Sequence, residues 1–289
     1  MQAFALRRTL LVARRTRPTV NRHVAPVQRW TRFQATVATS RPAASSFRCG
    51  AEATLKRFWK TVGIEQREGA LTVTLDKRTL KTPSGNPLLI PETKALAATL
   101  IAVEWENQET LLKQHSLPMT SLASRAIDAF QDEVTRGQVR GQLLKYLQTD
   151  TICFHSSDPE SLVSLQQTHW VPVLEWASST FNVEISTATD SFVIPPHPEA
   201  TIKKFDQVLS TFDPWQMAAM ERATYSSKSF LIGLALTLRH ITAEEASLAS
   251  HVEVNSQIEK WGEVEDSHDV DYHDIRRQLA SAACLISTL

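Results

Sequence analysis

Nine consecutive residues, "FLIGLALTL" from Phe230 to Leu238, carry no charge and only one hydroxyl. A run this apolar must leave water on every side, yet it is far shorter than the eighteen or so residues that a bilayer requires. It therefore predicts a helix enclosed on all faces by other elements. Such a helix demands a large surrounding shell, and 289 residues at 42% hydrophobic composition can supply one. No membrane-spanning segment is read anywhere in the chain.

The shell is mostly helical. "SLPMTSLASRAIDAF" places Leu122, Ala126 and Phe130 at steps of four, and "PESLVSLQQTHW" places Leu162, Leu165 and His169 on one face, with Pro172 marking a kink or a new helix start. Thr242 and Glu245 have the spacing of a capping box, ahead of Leu248, Val252, Ile258 and Trp261 on a single stripe. A last helix from about Val270 aligns Ile275, Leu279, Ala282, Ala283 and Ile286. These patterns predict about six to eight helices over 111–289.

Upstream the period changes to two. Leu71, Val73 and Leu75 alternate with Thr72, Thr74 and Asp76, and Gly69, Pro83, Gly85 and Pro87 punctuate the stretch, so about three to five short antiparallel strands are expected. A sheet that small needs a cover. The next segment, "PETKALAATLIAVEWENQ", offers one, with Leu96, Leu100 and Val103 at helical spacing. The fold class is α+β: a small β-rich N-terminal domain over 54–110, then a larger all-α domain over 111–289.

Charge is unevenly distributed. Residues 1–48 hold ten arginines, no lysine and no acid, and with them set aside the rest of the chain has ten more acids than bases. An Arg-, Ser- and Thr-rich, acid-free start is the composition of a mitochondrial transit peptide, and "TLLVA", cut off by Arg14 and Arg15, is too short for a secretory signal. Cys49, Cys153 and Cys284 are far apart and odd in number, which suits packing residues in a reducing compartment.

Several chemistries are missing. The chain has no G-x-x-x-x-G-K-[ST], no G-x-G-x-x-G, no G-x-S-x-G and no H-E-x-x-H, and only eight glycines in all. Ser226 beside Lys228 in "TYSSKS" reads as a helix start, with Ser226 or Ser227 as the cap of the apolar helix.

The densest chemistry lies in "WGEVEDSHDVDYHDIRRQ", where Glu263, Glu265, Asp266, Asp269, Asp271 and Asp274 share twelve positions with His268 and His273. The histidines are five apart, on different helix faces, and the stretch lacks the central glycine of a calcium loop. Three uses stay open: a metal-dependent hydrolase built on the Asp/His cluster, a solvated acidic turn, or a face that meets another protein.

Several motifs in order resemble the mitochondrial ATP synthase F(1) complex assembly factors that chaperone the alpha subunit. They are Phe58-Trp59, "VTLDKRTLKTP" from Val73 to Pro83, Glu104-Trp105, "MTSLASRAID" from Met119, "YLQTDTICF" from Tyr146 and "QIEKWGEVEDSHD" from Gln257, together spanning roughly 54–285. The turn Asp76-Lys77-Arg78 departs from the family, where glycine is common at the middle position. The resemblance implies a non-enzymatic chaperone of the mitochondrial matrix, monomeric, with no cofactor and no metal, that holds the free F(1)-ATPase alpha subunit until it meets beta. Within the acidic cluster the family pattern selects Glu265, His268 and Asp269. Glu263 and Asp266 are expected to add carboxylates toward a basic group on alpha, and Trp261 and Gly262 to anchor and turn the chain. A cap on the final helix is the competing reading of His268 and Asp269, and a core anchor that of Trp261.

Overall fold

Alternation of Leu and Thr in the second strand turns out to serve two buried faces. The computed structural model describes residues 56–191 and 193–288, and the expected transit peptide lies outside them. Strands β1 (Val62–Arg67), β2 (Ala70–Leu75), β3 (Arg78–Thr79) and β4 (Leu89–Pro91) form an antiparallel sheet in which β2 pairs with all three others. At that central position Thr72 and Thr74 are as buried as Val73 and Leu75. The β2–β3 connection is a two-residue turn, with Asp76 at φ 47° and Lys77 at φ 71°. Glycine would suit this left-handed geometry better. The Asp76 carboxylate compensates by accepting from the Lys60 and Thr61 amides (3.0 and 2.9 Å).

Helix α1 (Ala95–Glu106) covers the sheet as expected, but it turns Ala97, Ala98 and Ile101 inward. Leu96 and Leu100 are only half-buried and Val103 is 48% exposed, so the stripe drawn through those three residues is a boundary of the buried face. An alanine-rich inner face lets the helix axis approach the strands closely, which the larger residues would prevent.

The helical part comprises α2 (Pro118–Asp128), α3 (Glu133–Gln148), α4 (Glu160–His169), α5 (Val171–Phe181), α6 (Glu199–Ser210), α7 (Pro214–Ser227), α8 (Phe230–Thr237), α9 (Ala243–Ser250), α10 (Val252–Trp261) and α11 (Glu265–Ile286). A two-stranded parallel pair, β5 (Phe154–His155) and β6 (Ala188–Thr189), links the segments flanking α4 and α5. Among the described residues ten helices stand where about six to eight were expected; the breaks at Pro172 and ahead of α8 fall close to where the sequence marks helix starts, and the one at His251 does not. Pro172 starts α5, Lys228 takes φ 56° between α7 and α8, and His251 ends α9 before α10 begins.

The apolar run sits where its composition demands. All eight residues of α8 are buried, against α7, α5, α3, α9 and α11. Each fully buried Leu, Ile or Phe there contributes about 1.5–3 kcal/mol relative to exposure. The cap of α8 is Ser229, whose Oγ accepts from the Ile232 amide (3.1 Å). Ser226 and Ser227, expected in that role, still belong to α7, and Ser227 Oγ instead bonds the Ala223 carbonyl (2.7 Å).

Several of the motifs act as ties between the sheet and the helices. The Glu104 carboxylate caps α2 from outside, accepting from the amides of Met119 (2.6 Å) and Thr120 (2.9 Å), and burial raises its pKa. Asp128, at the end of α2, accepts from Thr82 Oγ1 (2.7 Å) and Asn86 Nδ2 (2.8 Å) in the turn beyond β3. Asp150 is fully buried and accepts from the amides of Ile152 (3.2 Å) and Leu231 (2.9 Å), and burial pushes its pKa up to about 6. One cluster of buried residues runs from Trp59 to Ile286. Cys153 and Cys284 belong to it or pack on it, and burial raises both thiol pKa values, consistent with packing residues.

Candidate partner-binding site

Helix α11 is anchored at one end. Its buried residues, Leu279, Ser281, Ala282, Leu285 and Ile286, all lie in the C-terminal half. There the buried Lys94 ammonium donates to the Leu285 carbonyl (3.1 Å) and the Arg239 guanidinium donates to that of Ile286, so two cations sit where the helix dipole is negative. The N-terminal half projects. From Trp261 to Asp274 every residue is exposed except His268, which is half-buried.

The helix starts at Glu265, five residues earlier than its apolar period suggests. Glu265 and Asp266 fill the first turn, where carboxylates are favoured by the dipole. His268 completes the start by accepting the Val264 N–H at Nδ1 (3.0 Å). His268 thus bonds the residue that leads into the helix, no side chain of Val264 caps the first turn, and Asp269 falls in the second turn. Upstream, Gly262 ends α10 at φ 86°, donating to the Ile258 carbonyl (2.8 Å), which turns the chain as expected.

Trp261 is not a core anchor. Burial fades along α10 from Val252, which is buried, through Ile258, which is half-buried, to Trp261, which is 72% exposed with the Lys260 ammonium 5.1 Å from its ring centre. Val264 (62%) and Val270 (70%) are also exposed. An indole and two valines held in water among carboxylates are an unsatisfied apolar surface.

The six carboxylates divide into two groups. Asp271 accepts from His251 Nε2 (3.0 Å), which ties α11 to the end of α9, and Asp274 pairs with Arg277 one turn along the same helix. Glu263, Glu265, Asp266 and Asp269 make no ion pair or side-chain hydrogen bond with any of the described residues. Repulsion among four such neighbours is a standing cost that an incoming cation would relieve. Among the described residues no three His, Cys, Asp or Glu side chains converge as ligands of one ion. His268 Nδ1 is already taken, and His273 lies edge-on to Tyr272 (5.2 Å). Among the described residues, too, no helix is long and apolar enough to cross a membrane.

The exposure of Val264 and Val270 escaped sequence reasoning, because an exposed valine and a buried one look alike on a helical wheel. The separation of free from engaged carboxylates escaped it as well. His251 is twenty residues from Asp271, and only packing brings them together.

Comparison with known proteins agrees with this architecture. The family described as "ATP12 chaperone protein" matches residues 56–178. Protein atp12, mitochondrial, of Schizosaccharomyces pombe is 34% identical over 237 residues, covering 80% of this chain and 81% of the relative. Protein ATP12, mitochondrial, of Saccharomyces cerevisiae is 32% identical over 270 residues, covering 80% and 83%. Among solved structures, Atp12 from Paracoccus denitrificans superposes with a TM-score of 0.68 at 26% identity, over 80% of this chain and 97% of that one. The Atu1473 protein of Agrobacterium tumefaciens gives a TM-score of 0.69 at 28% identity, over 80% and 84%.

Proposed function

The chain belongs to the ATP12 chaperone family, and from that membership we propose that it binds the free alpha subunit of the mitochondrial F(1)-ATPase and promotes assembly of the catalytic sector. The contact is made by the projecting end of α11. Glu265, with Glu263, Asp266 and Asp269, receives basic side chains of alpha, Trp261 and Val264 supply apolar contact, and Gly262 and His268 hold the turn and the helix start in shape.

The observation that carries this reading is the set of four free carboxylates around an exposed tryptophan on a helix otherwise bolted to the core. A subunit waiting for its partner exposes apolar and cationic groups and is prone to aggregate. A rim of unpaired acids captures it quickly and discriminates by charge, and a contact of mostly rim charges stays weak enough to be displaced when beta arrives. Residues 1–48 fit the same role by directing the chain to the matrix, where it acts as a monomer; import into isolated mitochondria should shorten it by about 34–50 residues.

The test is capture of newly translated alpha by the purified chain. Alpha should be retained without beta, and Glu265→Gln should weaken retention with little change in melting temperature. Glu265→Lys should weaken it further, but a base in the first turn of α11 also costs about 0.3–1 kcal/mol of stability, so the Gln variant is the cleaner comparison. Absence of alpha from the wild-type eluate refutes the reading, and equal recovery of alpha and beta would point to a permanent subunit.

A further inference from the structure

A groove of about 1180 Å³ runs between the Lys81–Pro83 turn, α2, α7 and the middle of α11. That is more than the roughly 300–1,000 Å³ of a small-molecule site, which leaves room for several residues of a polypeptide. Leu122, Ala218, Tyr225 and Ile275 supply apolar lining.

The acids around this groove are engaged. Glu221 accepts from Arg125 Nε (2.9 Å) and Nη2 (2.8 Å), Asp128 is held by Thr82 and Asn86, Asp271 by His251 and Asp274 by Arg277. The cations are not all matched. Arg222 is half-buried and lines the groove, and its one side-chain hydrogen bond runs from Nη1 to Gln278 Oε1 (2.6 Å). No carboxylate among the described residues pairs with it, nor with the exposed Lys81 at the rim. Burial depresses the pKa of the Arg222 guanidinium, an effect that the nearby charges of Glu221 and Asp274 only oppose from a distance. A half-buried guanidinium without a counter-ion is costly, and its planar fork is shaped for a carboxylate.

We propose that this groove receives an extended segment of the client bearing an aspartate or glutamate, whose carboxylate pairs with Arg222. The inference rests on the reading of the client as the F(1)-ATPase alpha subunit. The groove shares Asp271, Asp274 and Ile275 with α11, and because its four acids are engaged, Arg222 and Lys81 are the charges it leaves unmatched beyond the acidic end of that helix. Basic groups of the client meet the projecting turn, and an acidic one, further along, meets Arg222. Two opposite charges at a set separation define a register that a merely basic protein cannot match.

The experiment is capture of in vitro translated alpha subunit by the immobilised full-length chain, comparing wild type, Arg222→Gln and Arg222→Lys at equal folded concentration. Arg222→Gln should lower capture about tenfold or more, and Arg222→Lys should fall between, since it keeps the charge and loses the fork. Should Arg222→Gln unfold, Ser121→Glu replaces it. Ser121 is exposed on the α2 wall of the groove, and a carboxylate there repels the incoming one and should lower capture similarly. Capture by the wild type with undiminished capture by a folded Arg222→Gln or Ser121→Glu overturns the groove proposal and leaves the client assignment standing. No capture by the wild type overturns the client assignment, and the groove proposal with it.

Discussion

Substituting Gly233 by alanine sets two known effects against each other. In an isolated helix the change is favourable by about 1 kcal/mol. In α8 the new Cβ would lie 2.6 Å from Thr224 Oγ1, 3.0 Å from the Thr224 nitrogen and 3.3 Å from its Cα. Two of those three atoms are main chain, so α7 and α8 must separate, and both are locked in the core. Overpacking of this kind costs about 3 kcal/mol, the upper end of its usual range. The net loss is then about 2 kcal/mol, or about 4–8 °C in melting temperature for a folded region of this size. Urea unfolding followed by circular dichroism measures it directly. Thr224→Ala removes the nearest atom, a hydroxyl that is buried and has no hydrogen-bond partner among the described residues. In that background the alanine at 233 should cost about 1 kcal/mol less, giving a coupling of that size in a double-mutant cycle. If Gly233→Ala instead raises the urea midpoint, as propensity alone would have it, then α7 and α8 are not in contact at this point and the packing argument fails.

Three other outcomes follow from the geometry. Lys77→Gly should stabilise the protein by about 0.5–1 kcal/mol, because it removes a left-handed non-glycine residue from a two-residue hairpin turn; a lower unfolding midpoint would contradict this. Asp150 has a folded pKa of about 6, above its unfolded value, so it contributes stability that is complete below pH 4 and is lost as pH rises through 6. From pH 5 to 7.5 this loss is about 1 kcal/mol. His197, buried and with a depressed pKa, acts in the opposite direction, so the check is the difference in pH slope between wild type and Asp150→Asn; identical slopes would refute the assignment. Trp261→Ser should change stability by less than about 0.5 kcal/mol, as expected of an exposed side chain, while reducing alpha capture; a large drop in melting temperature would show that the indole packs after all.

The core was legible where composition left no alternative. The α8 run has no polar face to offer solvent, and the capping box of Thr242 and Glu245 forms as spaced, with Glu245 accepting from the Thr242 amide (2.7 Å). Legibility failed where one pattern served two physical situations. The stripe from Leu248 to Trp261 spans a break at His251, so its period holds while its burial does not. The first three turns of α11 are solvated, so they have no apolar period by which a helix start could be read. Of the candidate site, the sequence shows where the acids are but not which are free, since the partners of Asp271 and Arg222 are fixed by helices crossing in space. The Asp76-Lys77 turn, which lacks the usual glycine, is a hairpin nonetheless because Asp76 gathers the amides of the preceding strand entry.

The bond from Lys94 to the Leu285 carbonyl joins residues 191 positions apart. Ribosomes deliver the N-terminus first, so the turn that leads into the covering helix has no partner for Lys94 until the last few residues of the chain emerge. Helix α11 takes its buried anchor from the same residues. A chain that ends early lacks that anchor, and so cannot fix in place the acidic helix end proposed above to meet the client.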